Sequence, residues 1–102
     1  MQRNKKPPSP IKFLKFKEVI ALSGSSRTTL YSRIKEGRYP TSVKNGRDNF
    51  WAEHEVDEVN RAILAGKSDE EIRKIVERIH RDRINLGLLL EQEIESLPEK
   101  AN

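Results

Sequence analysis

Apolar residues recur along this chain with two different periods, and the switches between them mark its elements. Ile11-Lys12-Phe13-Leu14-Lys15-Phe16 is short and nearly alternating, which predicts an extended segment. Phe16 then stands ahead of a first helix over Lys17–Leu22, in the place of a hydrophobic staple, with Val19, Ile20 and Leu22 inward. Ser23-Gly24 stops this helix, because glycine accepts the left-handed conformation that a sharp end requires. Ser25 and Ser26 are N-cap candidates for a second helix that runs to Glu36 and closes at Gly37. Two short helices about a tight turn predict a helix-turn-helix.

The period then returns to two. Thr41-Ser42-Val43-Lys44 and Asp48-Asn49-Phe50-Trp51 flank Asn45-Gly46, a dipeptide that favours a β-hairpin turn. This predicts a wing with Arg47 beside its tip. A third helix is expected from Ala52 or Glu53 to Leu64 or Ala65, with Val56, Val59, Ile63 and Leu64 inward. Its first turns hold Glu53, Glu55, Asp57 and Glu58, which suit the positive end of a helix dipole. Gly66 ends it, and Ser68-Asp69-Glu70-Glu71 forms a capping box for a fourth helix. Ile72, Ile75, Val76 and Ile79 then make one apolar stripe at helical spacing. A break is expected near Asn85–Gly87, followed by a second seam of Leu86, Leu90, Ile94 and Leu97 before Pro98.

Composition sharpens this picture. With 102 residues, 34% hydrophobic and 35% charged, the core must be small. There is no cysteine, so disulfides and thiolate metal sites are excluded. No apolar run reaches the roughly 18 residues that a membrane span needs, which gives the expectation of a cytoplasmic, nucleoid-associated protein with no membrane partner. Charge changes the picture more. Residues 1–51 carry 12 Lys/Arg against 3 Asp/Glu (+9), whereas residues 52–102 carry 8 against 13 (−5). A basic half joined to an acidic half is the footprint of a polyanion-binding region attached to another element. The division expected is a disordered basic leader over 1–10, with Arg3, Lys5 and Lys6, a winged helix-turn-helix over 11–65, and a helical extension over 66–102. The fold class is mainly α with a small β-hairpin.

Candidate chemistry concentrates on the second helix. At about 100° per residue, Leu30 and Ile34 face the core, with Arg27 and Tyr31 on one flank. Thr28, Thr29, Ser32, Lys35 and Glu36 face away, with Arg33 beside them. Short hydroxyls and long cations are groups that hydrogen-bond base edges and phosphates in a major groove. Ser25, Ser26 and Arg27 at the helix start would lie nearest phosphate, where the dipole adds attraction. The candidate DNA-binding residues are therefore Ser26, Arg27, Thr28, Thr29, Ser32, Arg33 and Lys35 on the helix, and Lys44 and Arg47 on the wing. The plainer alternative for each is solvated surface charge, and for Trp51 a place in the core.

At this point the chain resembles a known family. Phe13-Leu14-Lys15-Phe16-Lys17-Glu18-Val19, Ser26-Arg27-Thr28-Thr29-Leu30-Tyr31, Gly37-Arg38-Tyr39-Pro40, Val43-Lys44, Gly46 and Trp51 through Glu55-Val56-Asp57 are similar in order and spacing to the AlpA-type regulators. These are winged-helix proteins of prophages and genomic islands, related to excisionases and to the DNA-binding domains of MerR-type activators. The resemblance implies transcription control or excision of a mobile element, with the Ser26–Lys35 helix in the major groove. One departure is Ser25, where the family usually has an apolar residue.

No HExxH, glycine-rich phosphate loop or GxSxG motif occurs, so neither catalysis nor a cofactor or metal is expected. His54 is expected at the solvent, and His80-Arg81-Asp82 on the polar side of the fourth helix. The partners expected are double-stranded DNA, a second copy held through Ile72, Ile75, Val76 and Ile79 in slight preference to fold-back of that stripe, and an integrase or RNA polymerase. The leading function is sequence-specific DNA binding that regulates a prophage or genomic-island gene. An excisionase that bends DNA for an integrase is the close alternative. A protein-interaction adaptor that uses the acidic helices is the alternative of another class.

Overall fold

The computed structural model describes residues 7–96. The basic positions Arg3, Lys5 and Lys6 and the seam's end at Leu97 and Pro98 lie outside these residues. Seven elements follow in order: β1 (Phe13–Leu14), α1 (Phe16–Ser23), α2 (Arg27–Lys35), β2 (Val43–Asn45), β3 (Asp48–Ala52), α3 (Glu53–Leu64) and α4 (Asp69–Ser96). The fold is a winged helix-turn-helix, mostly helical with a three-stranded antiparallel sheet in the order β1-β3-β2. The extended segment before α1 becomes an edge strand, with Phe13 opposite Ala52 and Leu14 opposite Trp51.

Helix α1 starts one residue earlier than its pattern suggests. Phe16 is its first residue rather than a staple ahead of it, and the Lys15 amide donates to the Glu18 carboxylate at 2.8 Å. The turn between α1 and α2 is held by hydroxyls. The Ser23 and Ser25 hydroxyls lie 2.8 Å apart, and Ser23 also takes the Ser25 amide at 3.3 Å. Gly24 holds φ +67° at the helix end, a conformation that costs other residues a steric penalty. Because the chain turns away there, Leu22 is exposed instead of inward.

The wing is shifted by one residue from the expected turn. Asn45 pairs with Asp48, so the two loop residues are Gly46 and Arg47. Gly46 has φ +67°, and among the described residues none other than glycine has a positive φ. That excludes a type I′ turn, which needs positive φ at both central positions, and fits glycine's place at the first position of a II′ turn.

One core unites all four helices and the sheet. Leu14, Val19, Leu30, Tyr39, Trp51, Val56 and Val59 pack with Ile72, Val76 and Ile79 in a single buried cluster, with Phe16, Ile20, Ile34 and Ile75 at its margin. Two corrections follow. On α3 the buried set is Val56, Val59, Ala62 and Glu55, while Ile63 and Leu64 are exposed. On α4 the Ile72–Ile79 stripe folds back onto α3, and Ile72 (5%), Val76 (2%) and Ile79 (2%) keep almost no exposure. A stripe so enclosed cannot hold a second copy, because a partner would have to replace the chain's own core. The capping box that opens α4 is present: Ser68 N–H donates to Glu71 Oε1 at 3.0 Å and Glu71 N–H to Ser68 Oγ at 3.1 Å. No break occurs at Asn85–Gly87. The helix continues for 28 residues, about 42 Å, since a single glycine weakens a helix without ending it.

Candidate nucleic-acid interface

Helix α2 is set against the rest of the protein at three places. Leu30 anchors it in the core. Along its first half, Phe16 stacks on Tyr31 (centroids 5.5 Å apart) and also meets Trp51 (6.2 Å). The Arg27 guanidinium lies 4.8 Å from the centroid of the same Phe16 ring, a cation–π contact that holds it in place. At its end, the Arg73 Nε of α4 donates to the Glu36 carbonyl at 3.0 Å, satisfying one of the carbonyls that a helix terminus leaves unpaired.

The outward face of α2 carries Thr28, Thr29, Ser32 and Lys35, all exposed. Among the described residues, no hydrogen bond or ion pair occupies the side chains of Thr28, Ser32 or Lys35. Ser26 and Thr29 differ. Ser26 Oγ accepts the Thr29 amide at 3.1 Å, which caps the helix, and donates to Thr29 Oγ1 at 3.0 Å. Arg33 stands off this face. It is half-buried and lines a recess with Arg38, Ile63, Lys67, Asp69 and Ile72, because position 33 lies only about 60° from the core residue Leu30 on the wheel.

On the wing, Lys44 and Arg47 are exposed, and no ion pair engages either within the described residues. Arg47 also borders a groove of about 780 Å³ shared with Phe13, Lys15, Phe16, Lys17 and Phe50. Lys15 and Lys17 add two cations to this side that the sequence reading did not single out.

The base of the wing is held by a polar cluster that no local pattern announces. Trp51 is buried, as expected, and its Nε1 donates to the Pro40 carbonyl at 2.9 Å. Arg83 of α4 donates to both carboxylate oxygens of the buried Glu55, at 2.6–3.1 Å. It also reaches Thr41 Oγ1 at 3.0 Å and the Thr41 carbonyl at 2.8 Å. His80 is not surface decoration. Its Nε2 accepts the Thr41 amide at 3.1 Å, so that nitrogen carries no proton. Burial first, and then the Arg83 charge, hold the His80 imidazole below the usual histidine value, with Glu55 opposing them. His54 is half-buried rather than at the solvent, and its Nδ1 is enclosed without a partner among the described residues. Tyr39, also buried, donates to Asn60 Oδ1 at 3.1 Å, and burial pushes its hydroxyl up to about 12.

Among the described residues, no three or more His, Cys, Asp or Glu side chains are grouped to hold a metal, and no helix is long and apolar enough to cross a membrane. Searches of curated proteins and of solved structures gave no match. The family model described as the prophage CP4-57 regulatory protein AlpA matches residues 12–61, the stretch from the start of β1 through most of α3. Residues 12–61 of this chain therefore belong to the AlpA family of prophage regulatory proteins.

Proposed function

We propose that this protein binds double-stranded DNA with sequence preference and so regulates transcription of a gene on a prophage or genomic island. Helix α2 enters the major groove, and the β2–β3 wing lies against the backbone or minor groove beside it. One observation carries the reading. Thr28, Ser32 and Lys35 stand exposed on one face of α2 without partners among the described residues, while α4 packs on α3 and meets α2 at its carboxyl end and at the Arg33 recess. A hydroxyl-and-cation face left open in this way has the donors and acceptors that base edges require. Arg27, steadied over Phe16, extends this face at the helix start, and Lys44 and Arg47 supply phosphate contacts from the wing.

Selection of preferred duplexes from a random pool, followed by a salt series on the selected site, tests the proposal. A defined motif is expected, with log affinity falling by about 0.9 per log unit of salt for each phosphate neutralised. Lys35→Ala and Arg27→Ala are each expected to weaken the selected site by about 1–3 kcal/mol if they reach bases. An equal loss on random duplex would make them phosphate contacts, and the absence of any enriched motif would overturn the proposal.

A further inference from the structure

We propose that the distal part of α4 pairs antiparallel with the same segment of a second copy, through a seam of Arg81, Ile84, Leu88, Glu91 and Glu95. These positions follow one another at intervals of three, four, three and four residues, so they form one stripe along the helix. All five are exposed, with Ile84 at 65% and Leu88 at 52%. The stripe points well away from the Ile72–Val76–Ile79 face that packs on α3, so a second helix can lie along it without displacing the protein's own core.

Charge selects both the occupant and its direction. Arg78 is paired with Glu58 and Asp82, and Arg83 with Glu55. Arg81, Glu91 and Glu95 make no ion pair among the described residues. An antiparallel pair centred on Leu88 places Arg81 of each copy opposite Glu95 of the other, because both lie seven residues from the centre. Leu88 of the two copies then meets at the centre between the two ion pairs, with Ile84 of each copy opposite Gln92 of the other. A parallel pair would instead align the acidic residues 91, 93 and 95 of one copy with those of the other, like charge on like.

Pairing about Leu88 sets the middles of the two core-packed stripes roughly 37 Å apart along the common axis, at 1.5 Å per residue, near the 34–36 Å of one duplex turn. This last point rests on the DNA-binding reading, and the pairing itself does not.

Sedimentation equilibrium of the full chain without DNA tests the pairing separately from that reading. A dimer of two 11.8 kDa chains is expected at micromolar concentration. Leu88→Asp should give the monomer mass with an unchanged helical circular dichroism spectrum. Arg81→Glu should weaken the dimer at least tenfold, and Arg81→Glu with Glu95→Arg should restore it. A wild-type monomer at all concentrations, a dimer indifferent to Leu88→Asp, or failure of the charge exchange to rescue would each overturn the proposal. Because the chain has no cysteine, Leu88→Cys provides a further check. Its oxidation should cross-link two copies, while Ile94→Cys should not; cross-linking through Ile94→Cys would overturn the antiparallel arrangement.

Discussion

Ser26 and Thr29 show how a residue type can be right for one task and committed to another. Both have the short hydroxyl that suits a base edge, yet the two hydroxyls bond to each other, and that of Ser26 also accepts from the α2 backbone. Ser26→Ala should therefore destabilise the fold by about 1 kcal/mol, the usual worth of an N-cap. Thr28→Ala, which removes no internal bond, should leave stability unchanged and lower affinity for the selected duplex. Chemical denaturation and a binding isotherm on both variants separate the two roles. His80 gives a pH dependence at the same scale. Its folded-state value lies below the ordinary histidine value, so on acidification the unfolded chain takes up this proton first. The stabilisation from His80 is complete above about pH 6.5 and is lost as pH falls below that value towards the folded one. His80→Gln, which keeps an acceptor for Thr41 without the titration, should flatten the decline in unfolding free energy between pH 7 and 5. An unchanged decline would mean that other groups cause it.

Each recognition element is fixed mainly by contacts from elsewhere in the chain. Helix α2 has nine residues, too short to be stable alone in water. It takes its position from Phe16 beneath Arg27 and Tyr31, from Leu30 in the core, and from Arg73 at its end. The wing is tied by its first residues, where Thr41 meets both His80 and Arg83. Arg83→Ala should cost about 3 kcal/mol, since it leaves the Glu55 carboxylate buried without its partner. It should also loosen the attachment of the wing. Urea denaturation measures the first effect, and faster amide exchange at Thr41 and along β2 reports the second. A loss below about 0.5 kcal/mol would show that water takes over the role of Arg83.

At the scale of the whole molecule, α4 divides into two parts with different tasks. Its first part completes the core through Ile72, Val76 and Ile79. Its second part extends past that core with Ile84, Leu88, Leu89, Leu90 and Ile94 exposed. The family match ends at residue 61, but the core does not. A chain cut after residue 67 should lose its cooperative unfolding transition, since Val56 and Val59 of α3 would lose the helix that packs on α3. Retention of a cooperative transition would show that the matched segment folds alone. Ile79→Ala in the full chain should cost about 2–5 kcal/mol without changing the oligomeric state, the opposite of what is expected for Leu88→Asp.

Local physics is written directly into this sequence. The 3.6-residue and two-residue periods, Gly24 and Gly66 as stops, the Ser68–Glu71 box and the glycine of the wing turn each act within a few residues, so they specify a winged helix-turn-helix and the outward face of α2 from the sequence alone. The apolar stripe of α4 was legible too, but not its destination, because a stripe states that it must be covered and not by what. Tertiary structure decided that α3 covers it and that Ile63, Leu64 and Leu22 stay at the surface. It also turned Arg33 towards the start of α4, and made Glu55, Arg83, His80 and Thr41 one cluster. Those four residues lie up to 42 positions apart, and attraction between charges so distant in the chain acts only after packing has brought them within a few ångströms.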